Sequence, residues 1–152
     1  MDYEINSETL LISAISDSKS KVLESKSVTY DIDSSVFQVI EHSCEYFGST
    51  LVGRQLGTKA LIGVTHKAPI FIEESTNIIF FPLNSPRKSD CIWVSFNNIL
   101  SYKKGSTAKS TIIKFKSGDE IEVPVSIGVI TNQILRSSRL QVVLNDRKLR
   151  IW

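Results

Sequence analysis

Residues 111–125 read Thr-Ile-Ile-Lys-Phe-Lys-Ser-Gly-Asp-Glu-Ile-Glu-Val-Pro-Val, the clearest local pattern in the chain. Ile113 and Phe115 alternate with Lys114 and Lys116, and Ile121, Val123 and Val125 alternate with Glu120 and Glu122. A period of two puts the apolar side chains on one face of a strand and the charges on the other. Ser117-Gly118-Asp119 supplies the turn between the two runs. Glu120 and Glu122 are expected to face Lys114 and Lys116 across the hairpin. Pro124 has no N–H for a sheet ladder, so the second strand is expected at an edge or to end there.

The rest of the chain follows the same short rhythm. Tyr3–Ile15 and Val22–Ile32 read as two strands that could pair as a hairpin. Asp33-Ser34-Ser35 is a helix start, because short oxygen-bearing side chains accept the free N–H groups of a first turn. Phe37, Ile40, Cys44 and Phe47 then share one helical face, and Gly48 is placed to end that helix. Ser49 or Thr50 caps a second helix to Gly57, with Leu51, Val52 and Leu56 toward the core and Arg54 and Gln55 outward. Thr58–Val64 is expected as a strand. Ile70–Ile72 and Ile78–Phe81 read as a hairpin, Asn84–Asp90 as a surface loop, and Ile92–Phe96 as a strand that Ile99–Lys103 continues. Ser126 caps a helix with Ile127, Ile130 and Ile134 on one stripe and Asn132, Arg136 and Arg139 on the next. That helix is expected to end before Asn145.

Many short strands, two or three helices and no alternating βαβ order predict an α+β fold with a mainly antiparallel sheet or a partly closed barrel. The 152 residues suit a single domain. Within it, residues 1–33 form acidic N-terminal strands, 34–145 the core and 146–152 a basic tail. No apolar run approaches the ~20 residues of a membrane span, and no secretory signal is visible. A cytoplasmic protein with two reduced cysteines is therefore expected.

The net charge of +2 conceals an asymmetry. Residues 1–50 hold three lysines against nine acids, a net −6, while residues 51–152 hold fifteen cations against seven acids, a net +8. A cationic working surface beside an acidic segment is one explanation, with nucleic acid as the commonest partner. An ordinary solvated surface is the other. The candidate contacts are Arg54, Lys59, His66, Lys67, Arg87, Lys88, Lys103, Lys104, Lys109, Arg136 and Arg139, several of them in loops. No helix-turn-helix, zinc finger or basic zipper pattern accompanies them.

Other chemistry is weaker. Cys44 and Cys91 could each pair with His42 or His66, yet one lies on an apolar helix face and the other opens a strand, as buried thiols do. Those four residues match no zinc spacing. The glycines at 48, 53 and 57 lack the Gly-Lys-Ser/Thr ending of a phosphate loop. Neither enzyme activity nor a cofactor or metal is expected.

The wording of residues 42–93, beyond its physics, resembles the competence transcription factor family (ComK) of Gram-positive bacteria. The matching pieces are SCEYFGST at Ser43–Thr50, GR at Gly53–Arg54, GT at Gly57–Thr58 and THKAPI at Thr65–Ile70. IIFFP at Ile78–Pro82 and CIWVS at Cys91–Ser95 follow, with NQILR at Asn132–Arg136 as a weaker piece. The resemblance implies a transcription activator of DNA-uptake genes that binds double-stranded A/T-rich promoter boxes as a homodimer or higher oligomer, largely through the minor groove. It implies a nucleoid-associated, cytoplasmic protein, a possible Clp adaptor as partner, and no membrane. By position Gly53-Arg54, His66-Lys67 and Asn132-Gln133 with Arg136 match family motifs, which adds Asn132 to the candidates and makes Arg54, Lys67 and Arg136 the expected DNA contacts. Family members usually run past the position of Trp152, so a shortened paralogue that modulates a full-length family member is the alternative expectation.

Overall fold

A computed structural model describes residues 2–149. Nine strands and three helices follow the order β1 Thr9–Ser16, β2 Lys19–Glu24, β3 Val28–Ile32, α1 Val36–Tyr46, α2 Leu51–Ile62, β4 Ile70–Glu73, β5 Ile78–Pro82, β6 Trp93–Ser95, β7 Ile99–Lys104, β8 Thr111–Phe115, β9 Glu120–Val123 and α3 Ile127–Leu149. Two separate sheets form, one of six strands in the order β3-β2-β1-β6-β5-β4 and one of three in the order β7-β8-β9. Every neighbouring pair is antiparallel. The α+β expectation holds, with two open sheets and no closed barrel.

The six-stranded sheet is covered on both faces, which explains the unbroken apolar runs. Along β5, Ile78 and Phe80 join the core under α1, together with Val39, Ile40, Cys44 and Trp93. Phe81 points the other way, into a core with Val94 of β6, Ile113 and Phe115 of β8, and Ile130 of α3. Ile79 also points that way, but packs with Phe71, Ile62, Leu140 and Leu144. A strand buried on both faces needs apolar side chains at every position. The helix α3 therefore contacts the first sheet, the second sheet and α2, and is the element through which they meet.

The β8–β9 hairpin forms as the alternation predicts, and β9 is an edge strand that ends before Pro124. Lys114 lies opposite Glu120, as expected. Glu122 instead lies opposite Ile112 and accepts from the Ser106 amide and hydroxyl at 2.9 and 2.7 Å.

Several elements depart from expectation. Lys26 and Ser27 take left-handed backbone angles and split Val22–Ile32 into two strands. Ser35 does cap α1, in a reciprocal pair with Gln38. The buried face of α1, however, runs through Val36, Val39, Ile40, Ser43 and Cys44, while Phe37 is exposed. Thr50 caps α2, which runs past Gly57 to Ile62 and stops at Gly63 with φ 73°. The expected strand over 58–64 is thus mostly helix. Gly57 packs on the Phe71 ring within the helix rather than stopping it; a Cβ there would sit 3.4 Å from that ring, an ordinary contact distance. Val52 and Leu56 face outward, and Arg54 is drawn inward. β7 does not prolong β6 but starts the second sheet. The last helix continues through Leu149, and the rest of the expected basic tail lies outside the described residues.

One carboxylate ties the two sheets together. Asp119, in the β8–β9 turn, accepts the Lys26 amide at 2.8 Å and the Ser27 amide at 2.7 Å. The left-handed conformation of two non-glycine residues costs of order 1 kcal/mol each, and these bonds hold it. The hydroxyl of Ser117 and then that of Ser27, with the two amides, keep the Asp119 carboxyl below its usual range. A carboxyl that is more acidic in the folded chain stabilises the fold above its unfolded pKa and loses that contribution as pH falls through the folded one. Asp119→Ala should cost about 1 kcal/mol at neutral pH, since the site is open to solvent. Urea unfolding should show the gap from the parent shrinking in acid; an equal gap at pH 7 and in strong acid would contradict this.

Candidate nucleic-acid interface

Between α2 and β4 the chain makes a sharp turn at His66-Lys67, where Lys67 takes φ 49°. A lysine gains nothing intrinsic from the left-handed region, so tertiary contacts must hold it there. Three successive holds are present. Arg136 Nη1 donates to the His66 carbonyl at 2.9 Å, and Gln133 Nε2 donates to the Lys67 carbonyl at 2.8 Å. Thr58 Oγ1, from α2, donates to the Pro69 carbonyl at 2.6 Å. The same Gln133 Nε2 donates to the Pro82 carbonyl at 2.7 Å, which joins the turn to the end of β5. Gln133 is 2% exposed, and its bond to Pro82 is buried while that to Lys67 is part-buried, so an unmade bond at Pro82 is costly.

With its carbonyls engaged, the turn presents the His66 and Lys67 side chains outward; both residues are exposed. They line a cleft of about 400 Å³ together with Gln55 of α2 and Ser85, Pro86 and Arg87 of the loop after β5. No carboxylate lines it. Among the described residues, His66, Lys67, Arg87, Lys88 and Arg136 make no ion pair, whereas Lys19 pairs with Asp33 and His42 hydrogen-bonds Glu4 within the acidic first third. In the 84–90 loop, Asp90 accepts from Asn84 Nδ2 at 3.2 Å. Arg136 spends one of its five N–H donors on His66, which leaves others for an anion.

The candidate cations therefore divide. His66, Lys67 and Arg87 line one cleft; Arg136 braces it and Lys88 sits in its loop. Asn132 and Lys59 are exposed, on the third and second helices. Arg139 is exposed farther along α3. Lys103 and Lys104 lie on β7 in the second sheet, and Lys109 in the loop after it. Arg54 is committed within the fold. Its guanidinium lies 4.5 Å from the Phe71 ring centre, and Nη2 donates to the Ile72 carbonyl at 3.2 Å. Gln55 and Ser85 escaped the sequence reading, because nothing in their spacing marks a polar side chain that a remote loop turns into a cleft.

The cysteine chemistry finds no support. Burial pushes both the Cys44 and Cys91 thiols up to about 12. His42 Nε2 meets Glu4 at 2.8 Å rather than a thiol. Among the described residues no three His, Cys, Asp or Glu side chains gather as a metal would require, and no helix is long and apolar enough to cross a membrane.

The α+β fold thus carries, at the rim of its larger sheet, a cleft lined by Lys67 and Arg87 and by no carboxylate. Comparison with known proteins gives the family. The model of the family described as ComK protein matches residues 1–149. The competence transcription factor of Bacillus subtilis (strain 168) is 31% identical over 148 residues, which cover 95% of this chain and 76% of that protein. No solved structure matches. The chain belongs to the ComK family.

Gln133→Leu should destabilise the chain by about 2–4 kcal/mol by orphaning the Lys67 and Pro82 carbonyls. Denaturant unfolding measures this directly. A loss below about 0.5 kcal/mol, the scale of an ordinary surface change, would show that the clamp is dispensable.

Proposed function

We propose that this chain is a competence transcription regulator that binds A/T-rich double-stranded DNA as a dimer, with His66, Lys67, Arg87 and Arg136 at the DNA. Family membership supports the regulatory role. The observation that carries the DNA reading is the cleft lined by two cationic side chains, Lys67 and Arg87, with His66 between α2 and β4 beside them and no carboxylate. Lysine and arginine gain affinity for a duplex by releasing its condensed counterions, and a neighbouring carboxylate would cancel that gain. A narrow A/T minor groove has enhanced negative potential and accepts inserted Arg and Lys side chains. It needs no recognition helix, in keeping with a cleft built from a turn and a loop. Lys88, Asn132 and Lys59 extend the contact on the same elements. Arg54 and the second-sheet lysines stay outside the footprint. The protein acts in the cytoplasm, on the nucleoid, and does no chemistry on its partner.

The test is a salt series on an A/T-tract promoter fragment. Log K should fall linearly with log salt, with a slope of about −0.9 per phosphate neutralised. Lys67→Gln and Arg87→Gln should each weaken binding across sequences and reduce the slope by about 1, with thermal stability unchanged. Salt-independent affinity, or the same slope in both variants, would refute the assignment. Absence of DNA binding together with co-elution with a longer family member would favour a modulator of that relative.

A further inference from the structure

The outer face of α3 carries three large apolar side chains in the open. Leu135, Val142 and Leu149 are 64%, 66% and 84% exposed. They are spaced seven apart, and an α-helix drifts only ~20° per seven residues, so they form one line. The opposite side of the helix is buried through Ile130, Gln133, Ser137, Leu140 and Leu144. Single exposed leucines are ordinary, but a straight apolar seam along a 23-residue helix is a packing surface. Beside it a groove of about 470 Å³ runs between α3 and β7, lined in part by Leu100, Ile134 and Gln141. Leu100 is itself 60% exposed, so the apolar footprint extends from the helix onto the second sheet.

We propose that this face joins two copies of the chain, with α3 lying antiparallel to α3 of the second copy about a two-fold axis through Val142. The inference deepens the dimeric DNA-binding function proposed above and rests on it. The seam is self-complementary in that orientation. Val142 meets Val142 of the second copy, and Leu135 meets Leu149 of the second copy, as a two-fold interface demands. Charge selects the same orientation. Arg139 and Asp146 lie on one flank of the seam, three residues before Val142 and four after it. An antiparallel pair brings Arg139 of each copy to Asp146 of the other. A parallel two-fold pair would put that flank of the two copies on opposite sides of the interface, where Arg139 and Asp146 could not meet. A carboxylate accepts from several donors, so Asp146 keeps any contact within its own chain. Gln133, which clamps the cationic turn, lies on the other side of α3, so pairing leaves both clefts uncovered. A two-fold protein then presents two equivalent clefts to paired half-sites.

Sedimentation of the full chain with and without DNA tests this. The parent should sediment as a dimer and Val142→Glu as a folded monomer with the same circular dichroism, its thermal midpoint no longer rising with concentration. Val142→Glu should still bind a single A/T tract and lose affinity at least tenfold for paired tracts. A second variant guards against misfolding of the first. Val142→Cys should oxidise rapidly to a disulfide-linked dimer, while Phe37→Cys on the exposed face of α1 should not; the native thiols are buried and stay silent. If Val142→Glu remains a dimer, or Val142→Cys links no faster than Phe37→Cys, the interface lies elsewhere and DNA binding is untouched. If the parent is monomeric at every concentration and on DNA, the pairing is refuted. A DNA titration of the same sample then decides separately whether the cleft reading stands.

Discussion

A single amide nitrogen holds three parts of this molecule in register. Gln133 Nε2 bridges the carbonyl of Lys67, in the turn before β4, and that of Pro82, at the end of β5. The bond to Pro82 is buried and that to Lys67 part-buried, so the bridge is worth more than a surface bond and is costly to lose. Arg136, one turn along the same helix, fastens the neighbouring carbonyl of His66. The helix that packs both sheets thereby also sets the backbone of the cationic turn. Stability and the functional surface are linked through α3, and a change in its packing must be felt at the cleft.

Charge is distributed to match. The acidic first third pairs Lys19 with Asp33 and sets His42 against Glu4. In the later part, carboxylates are drawn toward hydroxyls and amides instead. Glu122 takes Ser106, and Asp119 takes Lys26 and Ser27 through their backbone. Glu73 behaves likewise: burial raises its pKa, but bonds from Ser75 and Thr76 outweigh that and lower it. Carboxylates satisfied locally leave the cleft cations unneutralised. Such an arrangement stabilises the chain little, and its value is as a field for a polyanion.

The legible parts of the sequence were those fixed by short-range rules. The β8–β9 hairpin follows from alternation with one buried face, and the α1 cap from Ser35 and Gln38 three residues apart. What failed depended on distant partners. Gly57 looks like a helix stop until Phe71 is placed against it. The run after it is as apolar as a strand, and periodicity over so few residues cannot tell the two apart. Phe37 is bulkier than Val36, yet the core takes the valine, because the phase of a helix is set by what it docks on. Arg54 reads as a surface cation, but the Phe71 ring and the Ile72 carbonyl claim it. The cleft itself gathers residues 55, 65–68 and 85–87, braced by Arg136, a set no local pattern joins. Only the ordered family pieces THKAPI and NQILR pointed to two of its sides, and their meeting through Gln133 and Arg136 gives those pieces a physical reason.

The most direct test of the cleft as the DNA surface is amide hydrogen exchange on the full chain, with and without an A/T-rich duplex. Protection should concentrate at residues 65–68 and 85–88 and at the face of α3 around Asn132 and Arg136, with residues 103–109 unchanged. New protection over 103–109, with the turn at His66-Lys67 exchanging as in the free protein, would contradict it.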